Sequence, residues 1–265
     1  MIDFQTIELN KDARGIATLW LNRADKNNAF DAQVINELNA ALAAVQDDTD
    51  IRLLVLRGRG RHFSAGADLG WMRESAELDY QANLADAHEL GELMQRLYQL
   101  PQPTLAVVQG AAFGGALGLI ACCDMAIGAT DALFCLSEVR IGLAPAVISP
   151  FVAKAIGERA LRRYALTAER FDGQRARELG LLAECHAADE LDAALEQWVD
   201  NLLQNSPQAL KACKSLLLEV GAGDISAELR QTTEHAIARL RTSPEGQEGL
   251  NAFLEKRRPA WQEKN

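Results

Sequence analysis

From Thr104 to Glu138 the chain combines uninterrupted apolar sequence with clustered glycine, and that combination limits what it can fold into. Thr-Leu-Ala-Val-Val-Gln-Gly110 reads as a strand buried on both faces that stops at a glycine. Gly114, Gly115 and Gly118 follow, at positions where alanine would serve a plain helix better. Glycine there means either a tight strand–helix junction or a backbone that must approach something closely. The apolar run Ala116–Cys123 predicts a helix starting near Gly114. The first amides of a helix lack intrahelical partners and carry the positive end of its dipole, so an oxyanion set against the Gly115 N–H would be stabilised. The span Leu105–Cys123 approaches membrane-crossing length, but Gln109, the interspersed glycines, Asp124 and the lack of basic flanks describe a buried core element.

The same arrangement occurs once earlier. Residues 4–10 and 16–21 predict two strands around a turn at Asp12–Gly15. Asp31 is a fair N-cap for a helix over Ala32–Asp47 with apolar positions 34, 35, 38, 42 and 45 on one face. Leu53–Leu56 is another buried strand, followed by the glycine turn Gly58-Arg-Gly60-Arg-His-Phe63-Ser-Ala-Gly66-Ala67-Asp68-Leu69. That turn lacks the glycine spacing of a dinucleotide site, has no Gly-Lys-Thr/Ser, and Ser64 is not in a GxSxG elbow. Two such turns can instead aim two amides at one point, as an enolate or tetrahedral oxyanion requires.

Residues 70–100 are helical in pattern and charged, suited to a mobile flap or a solvated helix face. Leu133–Leu136 is a strand and Glu138 lies just past it. Flanked by Leu136, Val139 and Ile141, Glu138 is either a partly desolvated carboxylate at a useful pKa or a strand-end acid in water. Gly142–Pro150 reads as a turn, residues 151–164 as a helix, and the segment before Gly180 as a short helix capped there. From Asp189 the pattern is helical, with Ser206-Pro207 and Ser243-Pro244 as cap-plus-proline starts. The boundary falls near residue 190, giving a core of 1–190 and a helical region of 191–265. The closing Lys256-Arg257-Arg258 is an anion site or a favourable helix C-terminus.

The formal net charge of −10 over 265 residues argues against nucleic-acid or anionic-membrane partners. The five cysteines, with no CxxC pair, fit reduced thiols. With no secretory pattern at the N-terminus, they point to a cytoplasmic protein. The four histidines show no metal-ligand spacing.

At Ser64-Ala-Gly66-Ala67-Asp68, Gly110-x4-Gly115, Cys123-Asp124, Ser137-Glu138-Val and Gly142-Leu the sequence resembles the crotonase (enoyl-CoA hydratase/isomerase) superfamily, nearly end to end. Asn27-Asn-Ala-Phe30, Phe63 through Met72 and Val139 through Pro150 are most similar to bacterial methylglutaconyl-CoA hydratases. The resemblance implies an α/β fold, a spiral of ββα units, with a helical C-terminal region that builds a homotrimer or a dimer of trimers. It implies that the Ala67 and Gly115 amides hold a thioester carbonyl and that Glu138 carries protons. Lys26, Ala29 and the Ala67–Asp68–Leu69 backbone would contact the coenzyme A of the substrate, with Phe253 and Lys256 supplied by a neighbouring subunit. Coenzyme A is part of the substrate, so no separate cofactor is implied. The family's two-glutamate hydratases carry a second Glu where this chain has Gly118. One carboxylate would then serve both proton transfers, or an acid from the 70–95 segment would substitute. The implied reaction is hydration of an α,β-unsaturated acyl-CoA, 3-methylglutaconyl-CoA or a branched relative from leucine or terpenoid catabolism. The alternatives are a 3-enoyl/2-enoyl-CoA isomerase, a decarboxylase of a carboxylated CoA ester, or a non-catalytic acyl-CoA or RNA-binding module. Arg140 is a candidate partner for a distal substrate carboxylate, or a structural residue.

Overall fold

The computed structural model describes residues 4–221 and 224–262. A six-stranded sheet runs in the order β1 (Ile7–Lys11), β2 (Ile16–Leu21), β3 (Leu53–Gly58), β4 (Thr104–Val108), β6 (Met125–Ala129) and β9 (Glu184–His186). Only β1 and β2 pair antiparallel, and the other neighbours are parallel. The Asp12 carboxylate makes the hairpin turn, accepting from the N–H groups of Arg14 and Ile16. Parallel strands need cover on both faces, and every residue of β4 is buried, as its unbroken apolar run predicts.

A second layer contains β5 (Ala111–Phe113), β7 (Leu133–Cys135) and β8 (Phe171–Asp172). Isolated parallel bridges add Ser64 beside Ala112 and Phe30 beside Ala67. Successive turns of the chain therefore repeat one unit: a strand in the large sheet, a short extended segment in the second layer, then a helix. This is the expected spiral of ββα turns. The helices are α1 (Ala32–Asp47), α2 (Leu69–Glu77), α3 (Tyr80–Gln99), α4 (Gly115–Cys122), α5 (Ser149–Ile156), α6 (Glu158–Thr167), α7 (Gly173–Glu178), α8 (Leu191–Leu203), α9 (Pro207–Val220), α10 (Ala227–Thr242) and α11 (Pro244–Glu255). In α1 the Asp31 carboxylate accepts from the Val34 N–H, and Val34, Ile35, Leu38, Leu42 and Val45 are buried, matching the periodicity.

Four expectations need correction. The helix expected over 151–164 is two helices, α5 and α6, because Gly157 at φ +79° ends one and begins the other. The helical 70–100 stretch breaks after Leu78, where the Asp79 carboxylate caps a new helix by accepting from the Ala82 N–H. The strands β5, β6, β8 and β9 were not anticipated. In β6 (Met-Ala-Ile-Gly-Ala) Ile127 is the single β-branched residue, and Gly128 stands where a Cβ would meet Leu182 Cδ1 at 2.8 Å. Finally, the first strand begins at Ile7 rather than residue 4.

The first C-terminal helix is part of the core. Leu191, Ala194, Leu195, Val199 and Leu203 of α8 bury against it. An ion pair between a buried lysine and a solvent-reaching carboxylate ties α9 to the strand ends: Lys214 Nζ lies 2.7 Å from Asp124 and donates to the Gln102 carbonyl at 3.1 Å. Asp124 in turn accepts from the Thr104 N–H and hydroxyl. Removing the carboxylate leaves the buried Lys214 ammonium with the Gln102 carbonyl as its remaining acceptor. Asp124→Ala is expected to lower unfolding stability by about 1–3 kcal/mol, and Asp124→Ala/Lys214→Met to recover part of that loss. Equilibrium urea denaturation of both variants checks this.

Candidate active site

The site forms where neighbouring turns of the spiral leave the second layer at the same end. The Ser64 N–H donates to the Ala111 carbonyl at 3.0 Å and the Phe113 N–H to the Ser64 carbonyl at 3.0 Å. This fixes Ser64 opposite Ala112 in parallel register, and Phe30 meets both later segments: it bridges Ala67, and its ring lies 3.3 Å from where a Gly115 Cβ would sit. A second bridge holds the segment from its other side. The Phe30 N–H donates to the Gly66 carbonyl at 2.8 Å and the Asp68 N–H to the Phe30 carbonyl at 2.7 Å.

These pairings occupy most of the neighbouring amides, and the Ala67 and Gly115 N–H groups are among those left over, with those of Leu69 and Ala116 at their helix starts. Among the described residues, neither the Ala67 nor the Gly115 N–H donates a hydrogen bond within the chain. Gly115 opens α4, so its amide also carries the helix's positive end. The glycines are required by geometry. Gly66 sits at φ +95°, where a Cβ would lie 3.1 Å from the Phe113 carbonyl oxygen, and Gly114 at φ 54°, ψ −122° has a backbone almost confined to glycine. A Cβ on Gly115 would press on the Phe30 ring at 3.3 Å.

Glu138 begins a 3-10 turn immediately after β7. Its Oε1 lies 3.3 Å from the point a Gly114 Cβ would occupy, so the carboxylate rests on the start of α4. Its Oε2 is buried with no hydrogen-bond partner. Burial holds this carboxyl above its ordinary value of 4.5, opposed only by one backbone hydrogen bond. Of the two readings open from sequence, the desolvated acid is the one found.

The loop after β2 packs beside these elements. The Arg23 guanidinium reaches Asp31 at 2.7 Å, Asp68 at 3.2 Å and the Ala29 carbonyl at 2.8 Å. Lys26 Nζ is half-exposed and 3.6 Å from Asp68. Asp68 caps α2 by accepting from the Gly70 and Trp71 N–H groups. Burial works to raise its carboxyl, but those two hydrogen bonds and the charges of Lys26 and Arg23 outweigh it and hold the group below its ordinary range. Leu69 projects into solvent.

One chain thus brings together Lys26, Ala29, Ala67, Asp68, Leu69, Gly115 and Glu138. Phe253 and Lys256 are elsewhere, at the end of α11, which packs on α9 and α10, and Phe253 is 82% exposed. Gly118 is buried and faces no acid. A Cβ there would lie 2.3 Å from Ile148 Cγ2 and 3.0 Å from Met94 Sδ, so apolar atoms fill the space a second carboxylate would need. Gly118 itself has no group to move a proton. Arg140 donates to the Ala168 carbonyl at 2.6 Å, which favours the structural reading of that residue. Among the described residues no group of three or more His, Cys, Asp or Glu side chains could hold a metal ion, and no helix is long and apolar enough to cross a membrane.

Sequence reasoning missed Asn28, whose buried side-chain amide donates to the carbonyls of Arg59 and His62, both at 2.8 Å, and so ties the first loop to the second. The doublet Asn27-Asn28, both left-handed at φ 51° and 53°, was the available signal. It also missed Ile148 and Met94, which meet Gly118 only through tertiary packing.

Known proteins resemble this chain along nearly its whole length. The family model described as enoyl-CoA hydratase/isomerase matches residues 11–264. The crystal structure of an enoyl-CoA hydratase from Shewanella pealeana superposes with a TM-score of 0.94 at 50% identity, covering 97% of this chain and 96% of that one. The 2,3-dehydroadipyl-CoA hydratase of Escherichia coli is 32% identical over 92% of this chain and 94% of its own length. The trans-2-decenoyl-[acyl-carrier-protein] isomerase of Streptococcus mutans is 28% identical over 97% and 98% respectively.

Because the folded state raises the Glu138 carboxyl, it holds that proton more tightly than the unfolded chain does. Its contribution to stability is therefore present at low pH and lost as pH rises from near 4.5 through the raised value. Glu138→Gln is expected to unfold at an equal or higher urea midpoint than the parent at neutral pH. That advantage should vanish in acid; a midpoint lower than the parent's at neutral pH would contradict the desolvated placement.

Proposed function

The chain belongs to the enoyl-CoA hydratase/isomerase family, and from that premise we propose that it adds water reversibly to an α,β-unsaturated acyl-CoA. What supports this reading is the pair of unpartnered amides, Ala67 and Gly115, both in segments packed on Phe30, with one desolvated carboxylate resting on the start of α4. Their N–H groups donate to the thioester oxygen and draw electron density from the double bond, so that Cβ becomes electrophilic. Glu138, as the carboxylate, accepts a proton from a water whose oxygen bonds to Cβ. The electron pair of the double bond moves into an enolate held by the two amides. Protonated Glu138 then returns the proton to Cα, and the net change is one water added across the bond. Preorganised donors of this kind contribute on the order of a hundredfold or more each. A raised carboxyl suits this cycle, because the group must both take and give the proton.

The substrate we favour is 3-methylglutaconyl-CoA or a related branched enoyl-CoA of leucine or terpenoid catabolism. The motifs at Asn27–Phe30, Phe63–Met72 and Val139–Pro150 support it. Lys26 and the Ala67–Leu69 backbone would hold the coenzyme A portion. Phe253 and Lys256 would complete that contact from a neighbouring copy in a homotrimer or dimer of trimers in the cytoplasm. We place the boundary between the spiral and the helical C-terminal region near residue 190, with α8 packed on the core and the later helices as the oligomerising ones. The second reading is isomerisation of a 3-enoyl-CoA to the 2-enoyl isomer. It is favoured by the apolar surroundings of Gly118, since one base suffices to move one proton, and an isomerase is among the relatives.

Two assays check the proposal. Separate incubation with 2-enoyl-CoA and 3-enoyl-CoA esters, read by mass, should give a product heavier by one water from the former; isomerised product from the latter without hydration would select the second reading. Glu138→Gln should lower kcat by about 10²–10⁴ while leaving acyl-CoA binding within a few-fold. The parent's hydration rate should fall as pH drops through a value above 4.5, because the base must be ionised.

A further inference from the structure

Hydrogen bonds of a parallel ladder come at even spacing. With Ser64 opposite Ala112, they run from the Ser64 N–H to the Ala111 carbonyl and from the Phe113 N–H to the Ser64 carbonyl. The next bond of that pattern would join the Ala111 N–H to the main-chain carbonyl of His62. That carbonyl accepts from the Asn28 side chain instead, at 2.8 Å. The backbone slips by one residue at the same place, so the Phe63 N–H, rather than that of His62, meets the Gln109 carbonyl at 2.8 Å. A side chain supplies the acceptor that the ladder lacks: the Ala111 N–H donates to Nδ1 of the His62 imidazole at 3.0 Å. The ring comes this close because residue 110 is glycine. A Cβ on Gly110 would lie 2.6 Å from Nδ1 and closer still to the Arg61 carbonyl oxygen.

The N–H that the ring holds belongs to a peptide unit with a second tie. Its other end, the Gly110 carbonyl, accepts from the Leu133 N–H at 2.8 Å, where β7 starts. One peptide unit thus joins the first glycine turn on one side to the strand that leads to Glu138 on the other. The strand it opens, β5, runs into Gly114 and the Gly115 amide. We infer that His62 is a positioning residue for the reaction proposed above. As a neutral ring with its proton on Nε2, it replaces a backbone acceptor and sets the entry of β5, and through β5 the Gly115 amide. The inference rests on the hydratase reading. His62 acts through Ala111 rather than on the reacting atoms. A misplaced oxyanion donor is felt most when charge develops, so loss of the ring should slow turnover more than it weakens binding.

The test compares His62→Asn, whose Oδ1 takes the place of Nδ1 and accepts, with His62→Leu, which fills comparable space and does not. Both are assayed with crotonyl-CoA or 3-methylglutaconyl-CoA, whichever the parent hydrates faster. The temperature is one at which circular dichroism shows each variant fully folded, so lost folding does not enter kcat. His62→Leu should lower kcat by about tenfold or more with KM within about threefold of the parent, and His62→Asn should recover most of that loss. A smaller fall in His62→Leu, or an equal fall in both variants, overturns the inference and leaves the hydratase reading standing. Nitrogen-15 spectra of the histidine-labelled parent, assigned by the resonances absent from His62→Asn, should show a bare Nδ1 and a protonated Nε2. A proton on Nδ1 overturns the inference by itself, and this spectrum needs no substrate. A parent that hydrates neither ester removes the hydratase reading, and the inference falls with it.

Discussion

The structure depends on one register: Ser64 opposite Ala112 in a parallel bridge between consecutive turns of the spiral. Two hydrogen bonds fix it. Shifting it by one residue would displace Ala67 relative to Gly115 and reverse which side chains face the core. The flanking bridge between Phe30 and Ala67 and the Asn28 contacts to Arg59 and His62 brace the same segment from the outer turn. The large sheet supplies rigidity. The second layer, though its strands are short, supplies placement, because three of its segments lead to candidate site residues: Ala67, Gly115 and Glu138.

Placement also explains why the site tolerates groups that destabilise a fold. Two backbone N–H groups without partners and a buried carboxylate oxygen without a partner are each unfavourable taken alone. They persist because glycine backbones at Gly66 and Gly114, packed against Phe113 and Glu138, allow few alternatives. A carboxylate deprived of water and a pair of donors form a site in which an oxyanion and a proton carrier satisfy each other's surroundings.

Much of this was legible in the sequence. The helix α1 was read to its boundaries because periodicity and the Asp31 cap agree. The strand β4 was read because burial on both faces leaves an unbroken apolar run. The glycine turns were recognisable as close approaches, and their pairing suggested convergent amides. The short strands β5, β6, β8 and β9 were not legible, since two to five residues carry little alternation and Gly128 reads as a break until Leu182 is seen beside it. Gly157 looked like one glycine inside a helix because the apolar pattern continues through it. The surroundings of Glu138 and Gly118 were undecidable from residue order, because Met94, Gly118, Glu138 and Ile148 come from three different turns and meet only through packing.

The central claim is that the Ala67 and Gly115 amides polarise a thioester carbonyl, and the bond they act on can be observed directly. Difference infrared spectroscopy of a bound acyl-CoA, carbon-13 labelled at the thioester carbonyl, reads its stretching frequency free of protein amide bands. The expected result is a clear shift to lower frequency on binding, reduced when Gly66→Ala displaces the neighbouring amide. A bound ester whose carbonyl absorbs where it does in water, in the parent chain, would contradict the account.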